Sequence, residues 1–249
     1  MQSSAYPRAG EAVRSETVSV APRLRLAGGL FIGGFLFFYI VTQLWHPSGQ
    51  ENNHPIIFTK YAKSDAWIAV HFLQFVGVIV ALSGFVVLYR LLEARGEVPV
   101  LARCALGSLI ATIAIWAALQ AVDGVTLKHA VDAWFSASGT EKTIRFATAE
   151  TTRWTEWGLQ SYYRLLLGLT FVLFGIAVAR TGLVYRWLGG IAILAGLVYA
   201  AIGVGVGYSG LGQRPGDLLV TLLFLVFMVG VLVAGLRRRE PVESVEEAS

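Results

Sequence analysis

The chain has 249 residues, of which 55% are hydrophobic and 14% are charged, and its net charge is +4. Soluble domains contain about 45–50% apolar and about 25% charged residues, so this composition argues against a soluble enzyme, a disordered chain or a disulfide-stabilised secreted module. The single cysteine and four histidines exclude zinc-finger and iron–sulfur arrays.

Six stretches are long and apolar enough to cross a membrane. A bilayer core of about 30 Å needs roughly 20 apolar residues in a helix. In chain order the predicted spans are 26–45, 66–89, 104–122, 156–180, 184–208 and 218–236. Helices satisfy their own backbone hydrogen bonds in lipid. We therefore predict an all-α, polytopic membrane bundle of six helices.

The arginines and lysines between the spans predict its orientation. If the N-terminus is cytoplasmic, the inner segments hold twelve of these residues and the outer segments hold seven. Because positive residues collect on the cytoplasmic side, we predict that both termini are cytoplasmic. The transmembrane domain then covers 23–239, between a polar leader at 1–22 and a polar tail at 240–249.

Three consecutive spans carry polar and aromatic residues near their predicted outer ends. These residues recur at helical spacing: Trp67, His71 and Gln74 in the second span, Trp116, Gln120 and Asp123 in the third, and Glu156, Gln160, Tyr163 and Arg164 in the fourth. Polar groups are costly against lipid and usually face a bundle interior or a wet cavity. We therefore predict an outward-facing polar pocket between these three spans, with the first outer loop, 46–65, as its lid.

Arg164 lies about 10–12 Å inside its span by the helical rise. Its guanidinium stays charged and needs a carboxylate or a bound anion, and Asp123 and Glu156 are the predicted partners. A buried ion pair that fixes helix register, snorkelling toward the headgroups and an anion anchor are the alternatives. For His71 the alternative roles are a hydrogen bond to Gln120 or to a carbonyl, ligation of a metal or haem, and action as a general base. The glutamines Gln74, Gln120 and Gln160 are more typical of hydrogen bonds between helices than of ligand contacts.

Other chemistries receive little support. On straight helices His71 and His129 differ by about 13 Å in height, which argues against a bis-histidine haem. A mononuclear metal site has no supporting ligand spacing, and the chain has no P-loop, Rossmann, nucleophile-elbow or nucleic-acid motif. We predict no metal ligands and no nucleic-acid partner, and the cofactor and the oligomeric state stay open.

The pocket predicts binding of, or acid–base chemistry on, a small amphiphilic ligand such as a quinone, an isoprenoid or a lipid. The candidate catalytic residues are His71, Asp123 and Glu156. The candidate ligand-binding residues are Arg164, Gln74, Gln120, Gln160, Trp67, Trp116 and Tyr163. Two alternatives stay open: a non-catalytic structural or accessory subunit, and a small transporter. The transporter is less favoured because the midplane carries few polar groups.

Three strings carry a resemblance: HPSGQENNHPIIFTKYAKSDAWIAVHFLQFVG, LQAVDGVTLKHAVDAW and RWTEWGLQSYYRLLLGLTFVLFGIA. They resemble a group of uncharacterised bacterial six-helix integral membrane proteins, over most of the chain outside its tails. The resemblance implies a bacterial source, and with it the inner membrane as location and lipids as neighbours. It implies nothing about activity, cofactor or catalytic residues.

Overall fold

The computed structural model describes residues 19–212 and 214–238, and within these ranges the chain is helical and contains no strand. The helices are α1 (Val20–Trp45), α2 (His54–Ala62), α3 (Trp67–Arg95), α4 (Pro99–Gln120), a π-helical segment (Ala121–Leu127), α5 (Lys128–Ser136), α6 (Gly139–Thr181), α7 (Arg186–Ser209) and α8 (Pro215–Arg237). Most of the predicted leader and all of the predicted tail lie outside the described residues, as does Arg239 of the last basic cluster.

Six helical spans of the described chain are long and apolar enough to cross a membrane. They are α1, α3, the continuous run from α4 to α5, α6, α7 and α8, so the predicted six-helix, all-α bundle is confirmed. We call the end of the bundle that carries α2 and α5 the α2 end. The direction in which the bundle crosses the membrane stays a prediction.

The fourth span is longer than the sequence indicated. The stretch 123–156 was expected to be a connection, but α6 begins at Gly139 and continues for 43 residues. At 1.5 Å per residue it is about 64 Å long, roughly twice the thickness of a bilayer core. Its first turns pack on α2 and α5 through Phe58, Trp134 and Phe146. The polar start of α6 therefore buries an apolar face against these two helices.

Small side chains allow α6 and α7 to pack with their backbones in close contact. Residues seven positions apart face one another in three antiparallel pairs: Ser161 with Gly203, Gly168 with Gly196, and Gly175 with Gly189. A Cβ placed on Gly196 would lie 2.4 Å from the carbonyl oxygen of Gly168, and the Ser161 hydroxyl donates to the carbonyl of Gly203 at 2.9 Å. Small residues permit this approach in membrane helices, so α6 and α7 pack closely along three successive pairs of positions.

An aromatic core fills the half of the bundle away from the α2 end. The ring of Phe85 lies 4.8 Å from Phe31, 4.9 Å from Phe171 and 4.7 Å from Phe174, measured between ring centroids. Such contacts add to the energy of apolar burial. This core joins α1, α3 and α6.

The α6–α7 contact can be tested with one substitution at two glycines of α7. Gly196→Leu is expected to lower the free energy of unfolding by about 1–3 kcal/mol, because its side chain has no space against α6. Gly190 has no atom within 4 Å of a Cβ placed on it, so Gly190→Leu is the matched control. Thermal unfolding of both variants in detergent measures the difference, and equal stability would contradict the close contact.

Candidate functional site

A cavity of about 460 Å³ extends from the α2 end toward the middle of the bundle. Its lining comes from α1, α3, α4, the π segment, α6, α7 and α8. The pocket predicted between the second, third and fourth spans is therefore wider than expected, because α1, α7 and α8 also contribute walls. Glu51 and Tyr61, which belong to the predicted lid, line its mouth.

The polarity of the lining changes along the cavity. The charged and strongly polar residues near the α2 end are His46, Glu51, Asp123, Arg153, Glu156 and Gln160. The apolar residues near the middle of the bundle are Phe35, Val78, Leu82, Leu167, Phe224 and Met228. Along α6 the order Arg153, Glu156, Gln160, Arg164, Leu167 shows this gradient on a single helix face.

A π-helical segment places Asp123 at the cavity wall. π-Helical turns are rare and frequently occur at functional sites. Gly124 packs directly on His71, since a Cβ at Gly124 would lie 2.5 Å from the Cβ of His71. The indole N–H of Trp67 donates to the carbonyl oxygen of Asp123 at 3.0 Å. These two contacts with α3 hold the π segment and direct the Asp123 side chain at His71.

The ring of His71 lies against the carboxylate of Asp123 at the cavity wall. The Nδ1 atom lies 2.8 Å from the carbonyl oxygen of Trp67, which can only accept, so Nδ1 carries hydrogen. The other ring nitrogen, Nε2, lies 3.2 Å from Oδ2 of Asp123. This distance is short enough for an ion pair, although Nε2 makes no hydrogen bond among the described residues.

Aromatic rings surround the pair on the α2 side. Measured between ring centroids, His46 lies 4.9 Å from Trp67 and 5.3 Å from His71, and Tyr61 lies 4.0 Å from Trp67. Burial lowers the pKa of His46 below its ordinary 6.5, and the nearby charge of His71 lowers it further. His46 is therefore neutral at pH 7 and contributes hydrogen-bonding atoms, not charge, to the cavity.

The second polar cluster is centred on Arg153. Its guanidinium contacts Glu156 at 2.5 Å and Glu51 at 3.2 Å, and both Arg153 and Glu156 are only 1% exposed. Glu51 also accepts a hydrogen bond from the hydroxyl of Tyr61 at 2.9 Å. Burial raises the pKa of the Tyr61 phenol well above 10, which keeps this donor protonated. The network connects α6 to α2 across the cavity mouth.

Eight of the ten predicted site residues line the cavity. They are Gln74, Trp116, Gln120, Asp123, Glu156, Gln160, Tyr163 and Arg164. His71 and Trp67 lie behind Asp123, where they contact it directly. Gln74 donates to the hydroxyl of Thr42 on α1 at 2.9 Å, as expected for a glutamine that joins two helices. His129 is exposed and lies outside this site.

The predicted partners of Arg164 are wrong. Glu156 pairs with Arg153, Asp123 pairs with His71, and none of the ion pairs formed by residues 19–212 and 214–238 includes Arg164. The Arg153–Glu156 spacing of three residues on one helix was available in the sequence. The predicted fourth span begins at 156, which leaves Arg153 in the connection before it. In the structure α6 is already helical at Arg153, so the pair lies on one helix.

Other residues of the cavity carried no sequence signal that singled them out. Glu51 and Tyr61 come from the lid, Tyr199 from an apolar span, and Asp217 from the start of α8. Only the packing of distant segments brings them to one cavity. In the described part of the chain, no group of three or more His, Cys, Asp or Glu side chains is arranged to hold a metal ion.

Comparison of the chain with protein-family models, curated proteins and solved structures found no match. The geometry of the cavity is therefore the basis for assigning a function.

The buried ion pair can be tested against an exposed pair on the same helix. Glu156→Ala is expected to lower the free energy of unfolding by about 3 kcal/mol, because it removes one of the two carboxylates around the buried Arg153. Glu141 pairs with Arg145 at the surface at 3.1 Å, and Glu141→Ala should cost less than about 1 kcal/mol. Denaturant titration in detergent compares them, and similar costs would contradict a buried, energetically coupled pair.

Proposed function

We propose that the protein is a multi-pass protein of a bacterial inner membrane that binds a small amphiphilic molecule in the central cavity. The observation that carries the proposal is the change in polarity along one continuous cavity, from ionic groups at the α2 end to apolar side chains in the middle of the bundle. A molecule with a polar head and an apolar tail matches such a lining in one orientation.

The size and walls of the cavity support this proposal. Ligand sites typically have volumes of about 300–1,000 Å³, mostly apolar walls and a few oriented polar groups, and this cavity has about 460 Å³. Trp116 and Tyr163 form a rigid wall, with ring centroids 4.7 Å apart. Aromatic walls of this kind offer contact area at little cost in side-chain entropy.

Hydrogen-bonding atoms at the polar end also support it. Oδ1 of Asp123, Oε1 of Glu156 and Oε1 of Gln120 are buried and have no hydrogen-bond partner within the described ranges. Buried polar atoms usually have a partner, so these acceptors suit water or hydrogen-bond donors that accompany the bound molecule.

Two valine substitutions on α3 test the binding proposal. Val78 lines the apolar part of the cavity, whereas Val76 is 49% exposed on the lipid side. We expect Val78→Phe to fill the cavity and remove a co-purifying amphiphile that Val76→Phe retains. Mass spectrometry of molecules extracted from each purified protein measures this. If no amphiphile is enriched over bulk lipid, or if Val78→Phe retains it, the proposal fails and a structural subunit becomes the better description.

Acid–base chemistry on the bound molecule is the second candidate function. The observation that favours it is the contact between Asp123 and His71, since Oδ2 lies 3.2 Å from the ring nitrogen while Oδ1 has no partner and Asp123 lines the cavity. A carboxylate placed in this way accepts a proton from a ligand, and the ring, fixed by the Trp67 carbonyl, stabilises the resulting charge distribution.

Deuterium uptake from heavy water distinguishes catalysis from binding alone. The extracted amphiphile, returned to the protein in lipid nanodiscs, is expected to exchange a proton or change mass with the unaltered protein. Asp123→Asn should slow this by about 10²–10⁴-fold, the usual contribution of general acid–base catalysis. Asp132→Asn, which removes a carboxylate from α5 outside the cavity, is the control. No exchange, or equal rates in both variants, would exclude this second function.

A further inference from the structure

Arg164 is a cation inside a membrane span that the protein itself does not neutralise. Within the described chain its guanidinium forms no ion pair and no hydrogen bond, and its Nε atom is buried without a partner. A guanidinium does not lose its proton in proteins, and an ionised side chain at membrane depth usually pairs with another group. The anion that completes this site is therefore expected to come from outside the chain.

Two carboxylates that line the same cavity contact other groups of the protein. Glu156 contacts Arg153 and lies two helical turns from Arg164, which is about 12 Å along the axis of α6. Asp217 lines the same cavity, but its Oδ2 accepts the backbone N–H of Arg214 at 2.7 Å and caps the first turn of α8. Neither carboxylate forms an ion pair with Arg164.

The position of the Arg164 side chain is fixed before any ligand binds. Gly203 of α7 packs against its base, since a Cβ at Gly203 would lie 2.9 Å from the Cβ of Arg164. The guanidinium lies over the ring of Tyr199, with its central carbon 5.7 Å from the ring centroid. A cation held against an aromatic face keeps the edge of the guanidinium available for an anion.

Arg164 also lies where the cavity lining changes from polar to apolar. Gln160 is one turn toward the α2 end, and Leu167 is about one turn toward the middle of the bundle, where Phe224 and Met228 continue the apolar lining. An anionic head bound to Arg164 places a chain attached to it among these apolar side chains. A neutral head group would leave the charge of Arg164 without a partner.

We infer that the cavity binds an amphiphile with an oxygen-based anionic head on one aliphatic chain, and that Arg164 binds the head through charge-assisted hydrogen bonds. This inference rests on the proposed function and specifies its ligand class. Carboxylate and phosphate-monoester heads both present oxygen atoms that can accept two hydrogen bonds from one guanidinium. The two sources are distinguished by the probes below.

The test uses the full chain in lipid nanodiscs and measures the binding of tritiated dodecanoate by scintillation proximity. Dodecanol, dodecyl phosphate and dodecyltrimethylammonium serve as unlabelled competitors with the same chain length. Dodecanoate or dodecyl phosphate is expected to bind about 10–100-fold more tightly than dodecanol, the range that corresponds to charge-assisted hydrogen bonds. The better of the two anions identifies the head group.

Three variants complete the experiment. Arg164→Met is expected to fold, because it replaces an unpaired charge with an apolar side chain of similar length, and to lose the preference for the anions while dodecanol binds unchanged. Arg164→Lys should restore part of the preference. Arg145→Met is the control, since it removes the same charge from the exposed part of α6.

The outcomes separate this inference from the proposed function. If dodecanol binds as tightly as the anions, if the ammonium competitor binds best, or if Arg164→Met leaves the anion preference unchanged, the anionic head is excluded while amphiphile binding stands. If none of the four probes binds to the unaltered protein, both the inference and the proposed function are contradicted.

Discussion

Arg153 and Glu156 are each only 1% exposed, and the burial of this pair determines how the α2 end of the bundle is assembled. A guanidinium without water must be surrounded by acceptors. One turn of α6 supplies Glu156, and the connection between α1 and α2 supplies Glu51, which Tyr61 holds through its hydroxyl. Because these contacts require α2 to lie across the helix ends, the same network that satisfies Arg153 also forms the mouth of the cavity.

The wall opposite α6 depends on a local change in helix type. In the π segment the wider backbone turn directs Asp123 toward α3, where it contacts His71 and Trp67. Gly124 has no side chain, which allows the segment to pack directly on His71. The Trp67 side chain donates to the segment while its carbonyl accepts from His71, so one residue orients both members of the pair. The close approach of His71 and Asp123 thus follows from backbone contacts as well as from charge.

The six spans were predictable because their length and apolar composition are properties of continuous sequence, and helical spacing correctly grouped Gln120 and Asp123, or Gln160 and Arg164, on shared faces. Pairing between helices was not predictable in this way. Whether an acid contacts Arg164 depends on the rotation of α4 relative to α6, and the π segment changes that rotation over a few residues. The start of α6 was not predicted as part of the span because the many charged and polar residues there lower its mean hydropathy. Its few apolar residues pack on α2 and α5.

Arg153 and Arg164 of α6 show why the burial of a charge has to be interpreted together with its partners. Arg153 is almost completely enclosed and is matched by two carboxylates, so its charge is satisfied by the fold and contributes to the assembly of the lid. Arg164 is eleven residues further along, about 16 Å toward the middle of the bundle, where its guanidinium lies over the ring of Tyr199 and forms no ion pair with the described residues. A fold that needed a cation at this depth for stability alone would supply a counter-charge, as it does for Arg153. The unmatched charge beside the apolar part of the cavity therefore favours a role in binding over a role in folding.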